Sequence, residues 1–184
     1  MRVRFVQTSR ENAGRSLLAS SLAMSLLKLI VLALSLTSTL CVSIAEPKTK
    51  IKFNDKKGSG KLKRLGVRTK GPIKVYAVGE YSSGDYVLKM SYGVGAAKMS
   101  GALVDALKPR CSDAKSIAEF EACLVGGLPN GATKGTELVF STGGFKLGVA
   151  VNGKKVGSVG GPSLCKAFAK IYTDKKAVCA MHEV

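Results

Sequence analysis

The sequence predicts an α+β fold with a mostly antiparallel sheet. Alternating apolar segments dominate the first half of the chain, whereas apolar residues at helical spacing occupy the middle and the end. Between the middle and the last helical segments, two alternating segments flank Asn152-Gly153. This dipeptide is typical of a tight β-hairpin because both turn residues need positive φ. Strands at the start, helices in the middle and at the end, and strands again between them favour an α+β fold with a mostly antiparallel sheet.

The first 45 residues have the order of a secretory signal. Five basic residues and a single acid precede a short apolar run over residues 29–36. Ser43 and Ala45 then place small residues three and one before a cut ahead of Glu46. An uncleaved anchor and a buried core helix are the alternatives, and the apolar run is short and rich in Ser and Thr for a membrane span.

Residues 46–184 have the length of one domain. With the leader, they predict a protein that enters the secretory pathway and is secreted or kept in the endomembrane lumen. In an organism with a complex plastid, the same leader would begin a route to that organelle.

The formal net charge of +17 is unevenly distributed. Residues 48–74 carry eleven Lys and Arg against one acid, Asp55. Such a segment attracts acidic partners or an anionic membrane surface, although a solvated basic face is the simpler interpretation. No nucleic acid is expected as a partner, because the chain has no Trp and no nucleic-acid-binding motif.

Four cysteines remain if the leader is removed with Cys41: Cys111, Cys123, Cys165 and Cys179. An even count in an oxidising compartment predicts disulfides. The pairs 111–123 and 165–179 close short loops and are favoured among three arrangements. Zinc is not expected, because there is no Cys-x-x-Cys and His182, the sole histidine, lies in what we interpret as a frayed tail. No cofactor is expected.

The elements follow from the periodicity. Strands are expected at residues 48–53, 62–68, 73–81, 86–92, 136–141, 145–151 and 154–159. Helices are expected over 95–107, around 117–124 with a capping box at 116–119, and after 161–163.

Arg68 and Tyr76 are the candidate ligand-binding residues, on the two strands of the first long hairpin. A guanidinium close to a phenol is a good receptor for a carboxylate or an enolate. A two-residue turn at Lys70-Gly71 would point the two side chains to opposite faces. A three-residue turn over 70–72 would make them diagonal neighbours, roughly 7 Å apart at Cβ. An Arg at a strand end and a Tyr on the sheet is the plain alternative.

Several blocks resemble the chalcone isomerase family, in the expected order and over essentially the whole chain after the leader. They are Leu65-Gly66-Val67-Arg68 with Val75-Tyr76-Ala77-Val78-Gly79-Glu80-Tyr81, then Glu137-Leu138-Val139-Phe140 with Gly143-Gly144-Phe145-Lys146-Leu147, the Asn152-Gly153 turn, and the segment from Ser163 to Tyr172. The resemblance implies an open-faced sandwich, a curved, mostly antiparallel sheet with helices on one face.

The resemblance also implies roles. In the enzymes, an Arg on the first hairpin strand supports the reacting oxyanion, and a Thr, a Tyr and an Asn assist it. In the fatty-acid-binding branch, the Arg and a Tyr in the Thr position hold a carboxylate. By position, these residues fall on Arg68 and Tyr76, with Lys98 and Asp105 in place of the helix Tyr and Asn.

Three hypotheses follow. The first is a non-catalytic protein that binds a fatty acid or similar apolar carboxylate in a cleft between sheet and helices. The second is an intramolecular lyase of the chalcone isomerase type, which Asp105 disfavours because a carboxylate opposes a developing oxyanion. The third is a secreted basic protein that binds anionic surfaces.

Overall fold

The computed structural model describes residues 42–184, so the predicted leader lies outside the described residues apart from 42–45. Within this range the elements are β1 (Ser43–Ala45), β2 (Lys52–Asn54), β3 (Lys56–Lys57), β4 (Gly60–Lys70), β5 (Ile73–Tyr81), β6 (Asp85–Met90), α1 (Ala96–Leu107), α2 (Ala114–Gly126), β7 (Glu137–Ser141), β8 (Leu147–Val151), β9 (Lys154–Val159), α3 (Pro162–Thr173) and β10 (Met181–Glu183). None of the helices described is long and apolar enough to cross a membrane.

The predicted fold class is confirmed. The main sheet has the strand order β10-β4-β5-β6-β7-β8-β9, with β3 paired to β4 at the side, and all pairs are antiparallel. The β8–β9 turn has Asn152 at φ 48° and Gly153 at φ 78°. This is the positive-φ pair expected of an Asn-Gly hairpin.

The three helices pack on one face of the sheet and form the main core with it. Helix α3 contributes a buried stripe at helical spacing, Leu164, Phe168, Ile171 and Tyr172. The Phe168 ring lies 4.6 Å from the Phe140 ring, centroid to centroid, so an aromatic contact joins α3 to β7. The helices therefore hold the central strands from one side only.

A second, smaller core lies on the opposite face of the sheet. Strands β1 and β2 form a hairpin whose Phe53 is fully buried against the sheet. A Cβ on Gly79 would lie 2.8 Å from the Phe53 ring, so only glycine at this position leaves room for the aromatic side chain. The N-terminal hairpin thus covers part of the face that the open-faced sandwich leaves open.

The strand predicted over residues 48–53 is mostly wrong. The carboxylate of Glu46 accepts hydrogen bonds from the backbone N–H groups of Lys48 (3.0 Å) and Thr49 (2.6 Å). This turn interrupts the extended chain, and the strand begins only at Lys52. Strand β1 lies within residues 1–45, so the predicted cut after Ala45 would detach it from β2. Signal cleavage stays a prediction.

The frayed tail was also a wrong prediction. Strand β10 pairs with the edge of β4, and His182 lies opposite Leu65. Gly66 permits this approach, since a Cβ there would lie 2.5 Å from the Met181 sulfur and 2.7 Å from the carbonyl oxygen of Ala180. The cap of α2 differs as well: Asp113, not the predicted box at 116–119, accepts a hydrogen bond from the Ser116 N–H at 3.0 Å.

Both predicted disulfides are corrected, because Cys111, Cys123, Cys165 and Cys179 are free thiols in the described part of the chain. Cys111 lies three residues before α2, and Cys123 is the tenth residue of that helix, roughly 13 Å along its axis from the first residue, Ala114. The Cys165 thiol contacts the Gly144 carbonyl in the β7–β8 loop. Cys179 instead lies beside Gly66 in β4, which is separated from β7 by about three strand spacings of the sheet. A disulfide needs the two Cα atoms within about 7 Å of each other, and neither predicted bridge is present.

We therefore expect alkylation of the unfolded, unreduced protein to modify all four of these cysteines. Peptide mapping by mass spectrometry checks this result. A peptide pair linked through Cys111–Cys123 or Cys165–Cys179 would contradict the arrangement of α2 and α3.

Gly66→Ala should destabilise the protein by about 1–3 kcal/mol, because the added methyl group collides with β10. Urea unfolding measures the loss, and hydrogen exchange should show β10 released first. Gly101→Ala is the matched control. Nothing lies within 4 Å of its Cβ, so in the interior of α1 it should stabilise by about 0.5–1 kcal/mol. Equal effects of the two substitutions would rule out the β10–β4 contact.

Candidate ligand-binding site

The β4–β5 hairpin places Arg68 and Tyr76 on one face, though by neither of the two turns considered from the sequence. The loop has two residues, Gly71-Pro72, with Lys70 opposite Ile73. A register shift between Arg68 and Thr69 then adds one residue to the β5 side. This bulge restores the parity that a two-residue loop would lose. Arg68 and Tyr76 are direct cross-strand partners, not the diagonal neighbours that a three-residue turn would give.

Val75 is the extra residue of the bulge, and its backbone takes part in two hydrogen bonds. Its carbonyl oxygen accepts hydrogen bonds from the N–H groups of Ser91 (2.9 Å) and Tyr92 (3.1 Å). These bonds tie the chain beyond β6 to the start of β5. The bulge is therefore held in place by the neighbouring segment.

Arg68 is half-buried and oriented by the C-terminal segment. Its Nη1 donates a hydrogen bond to the carbonyl oxygen of Val178 at 2.5 Å. None of the ion pairs within residues 42–184 includes Arg68. The guanidinium has five N–H donors in a planar fork, so this single bond leaves donors for an anion.

Tyr76 is buried, and its phenol oxygen lies 3.3 Å from that of Tyr172 in α3. Burial raises the pKa of Tyr76 to about 12; Cys179 adds to the rise, and the Tyr172 hydrogen bond and the Arg68 charge oppose it. The phenol is therefore protonated at neutral pH and able to donate a hydrogen bond. Tyr172 also stacks on Tyr86, with ring centroids 5.3 Å apart.

A cleft of about 440 Å³ adjoins these side chains, between the hairpin and α1. Most of its lining is apolar: Ile73, Val75, Tyr92, Val94, Met99, Ala102, Leu103, Ala106 and Val178. Its charged side chains are Arg68, Lys70 and Lys98. Among the described residues that line it, none carries a carboxylate, so the cleft is apolar with a cationic border.

The beginning of α1 adds to the positive potential of the cleft. Gly95 lines the cleft and occupies the N-cap of α1. It has no side chain that could accept a hydrogen bond from the N–H groups of the first turn. The first turn contains no acidic residue. Uncapped amides and the helix dipole favour an anion on this side of the cleft.

Of the two α1 residues suggested by the resemblance, only one lies at the cleft. Lys98 lines the cleft, whereas the Asp105 side chain is 75% exposed and pairs with Lys108 at 3.3 Å. Asp105 lies outside the cleft because the lining positions of α1 are at the spacing of Ala102 and Ala106. Asp105 is therefore not a site residue.

Sequence reasoning missed two groups that support the site, Tyr172 and Val178. Tyr172 could have been found, because it follows Phe168 by four residues on the apolar face of the predicted last helix. Val178 contributes only a backbone carbonyl from a segment without periodicity, so no pattern marks it. A larger groove of about 710 Å³ lies near residues 126–131 and the β8–β9 hairpin, but contains neither Arg68 nor Tyr76 and is more open to solvent.

Tyr76→Phe should reduce the loss of stability at alkaline pH. The unfolded phenol ionises near pH 10 and the folded one near 12. The protonated Tyr76 phenol therefore contributes fully to the free energy of unfolding below pH 10. That contribution falls by about 2–3 kcal/mol as the pH rises towards 12. Urea unfolding of parent and variant at several pH values measures the difference. Identical slopes above pH 10 would show that the Tyr76 phenol is not buried in the folded state.

Comparisons with known proteins identify the fold. No family model and no curated protein matches the sequence. Among solved structures, the chain is similar to the Arabidopsis thaliana fatty-acid binding protein AtFAP1, with 18% sequence identity and a TM-score of 0.68. The match covers 75% of this chain and 92% of that one. The chalcone isomerase-like open-faced sandwich predicted from the sequence is thus confirmed as the fold.

Proposed function

We propose that the protein is a non-catalytic binder of a fatty acid or similar apolar carboxylate. The observation that carries the proposal is the direct pairing of Arg68 with Tyr76 beside an apolar cleft. The guanidinium supplies charge and the protonated phenol supplies a second donor to the same carboxylate. The name of the structurally similar AtFAP1 agrees with this ligand class.

Most of the affinity would come from the acyl chain. Burying a methylene group contributes about 0.8 kcal/mol, whereas a charge-assisted hydrogen bond contributes about 1.5–3 kcal/mol. The cleft volume of about 440 Å³ lies in the range of small-molecule sites. The carboxylate contacts would therefore set orientation and select acids over neutral lipids.

The isomerase alternative has less support in the geometry. Lys98 lies at the cleft where the resemblance places a Tyr, and Asp105, in the Asn position, faces solvent. The elevated pKa of Tyr76 suits a hydrogen-bond donor but not a base at neutral pH. Enzymatic loss of a chalcone well above the uncatalysed rate would reverse this preference.

Arg68→Ala should weaken fatty-acid binding about 10- to 150-fold, the equivalent of a lost charge-assisted bond. Isothermal titration calorimetry with the delipidated protein measures the affinity. The matched control is the fatty alcohol of equal chain length, which has no carboxylate and should bind parent and variant alike. Equal affinity of both proteins for the acid would eliminate the carboxylate clamp. A parallel loss for the alcohol would indicate damage to the cleft instead.

A further inference from the structure

Two large apolar side chains are exposed at the entrance of the cleft. Ile73 is 42% exposed and Tyr92 is 54% exposed. Both line the cleft, and both also line a second groove of about 560 Å³ on the other side of the hairpin. They therefore form a small apolar ridge between the two depressions.

Lysines surround this ridge. Lys70 and Lys98 line the cleft, and Lys48 and Lys134 line the second groove, all four exposed. None of these four forms an ion pair within residues 42–184. Lys74 and Lys89 also line the groove, but donate to the carbonyl oxygens of Lys48 and Lys52 respectively. We call Ile73, Tyr92, Lys48, Lys70, Lys98 and Lys134 the entrance surface.

One buried polar atom near the groove has no hydrogen-bond partner among the described residues. The Ser91 Oγ is buried and makes no hydrogen bond in the described structure. Ser91 lies between the bulge contact to Val75 and the exposed Tyr92, among the lining residues of the groove. A buried hydroxyl without a partner is uncommon in folded proteins.

We propose that the entrance surface docks on an anionic lipid bilayer. Lysines are attracted to the negative surface potential of such a membrane, while an aromatic and an aliphatic side chain enter its interfacial region. Ile73 and Tyr92 also line the cleft, so docking would place this side of the cleft against the source of an apolar ligand. This inference goes beyond the proposed function and does not require the cleft to be occupied.

The combination of charge and apolar exposure favours a bilayer over another polyanion. A nucleic acid or an acidic protein would satisfy the four lysines but would leave Ile73 without an apolar environment. Phe145 is 76% exposed but lies in the β7–β8 loop, outside the entrance surface. It therefore provides a matched control for apolar insertion.

The absence of Trp from the sequence permits a single-residue reporter. Tyr92→Trp should show a blue-shifted emission on phosphatidylcholine vesicles containing phosphatidylserine, and quenching when brominated lipids are included. Phe145→Trp should show neither change. If both reporters respond equally, or neither responds, the entrance surface is not the docking site.

Charge variants test the same surface independently. Each lysine near an anionic bilayer contributes roughly a fivefold factor to partitioning. Lys70, Lys98 and Lys134 changed together to Gln should therefore weaken vesicle binding about 100-fold in a sedimentation assay. The control changes Lys61, Lys155 and Lys166 to Gln, exposed lysines on β4, β9 and α3 outside this surface, with the same loss of charge. Circular dichroism verifies that both triple variants fold.

A small loss of vesicle affinity in the control triple variant supports the proposal. Vesicle binding of the parent protein should also disappear at 1 M salt, where the Debye length is only about 3 Å. Equal losses in both triples would mean that net charge alone attracts the protein and would overturn the proposal. So would tighter binding to an acidic polymer than to vesicles. Tyr76→Phe separates the two hypotheses: it should weaken fatty-acid binding in solution and leave vesicle binding unchanged.

Discussion

The register shift in the β4–β5 hairpin is the constraint on which the candidate site depends. A two-residue loop at Gly71-Pro72 would by itself send Arg68 and Tyr76 to opposite faces of the sheet. The bulge at Val75 corrects the parity, and the backbone of Ser91 and Tyr92 holds that bulge. Because one face of the hairpin is packed under helices, the shift also decides which side chains enter the core.

Two contacts from distant parts of the chain complete this arrangement. Tyr172 of α3 meets the Tyr76 phenol, and the Val178 carbonyl binds the Arg68 guanidinium. Both contacts come from the last fifteen residues of the described chain, where α3 is followed by the edge strand β10. The C-terminal segment thus positions the two donors, through Tyr172 from the predicted last helix and Val178 from the chain between that helix and β10.

Periodicity predicted most of the fold but only part of the site. Strand β5 and helix α1 were placed almost to the residue, because their apolar spacing is regular and their ends are marked by Gly, Pro or polar turns. The hairpin pattern and side-chain chemistry pointed to Arg68 and Tyr76, and the resemblance predicted the open-faced sandwich and supported the same two residues. The bulge was not predictable, since it depends on hydrogen bonds between segments rather than on a pattern within the hairpin.

The errors have a common physical origin in tertiary contacts. The turn at the Glu46 carboxylate delays to Lys52 a strand that alternation placed at residue 48. The absence of a side chain at Gly66 leaves room for a strand at the tail. The cysteine pairs looked close along the chain, but rigid helices keep their thiols apart. Short sequence separation is thus a poor guide to proximity when a helix lies between two residues.

The central claim is that the guanidinium of Arg68 and the phenol of Tyr76 bind one carboxylate. Carbon-13 NMR of a carboxyl-labelled fatty acid in complex with the protein tests it most directly, through the titration of the bound head group. A carboxylate held by Arg68 should remain ionised to a lower pH than the same acid bound to Arg68→Ala. A bound acid that titrates identically in both proteins would contradict the account.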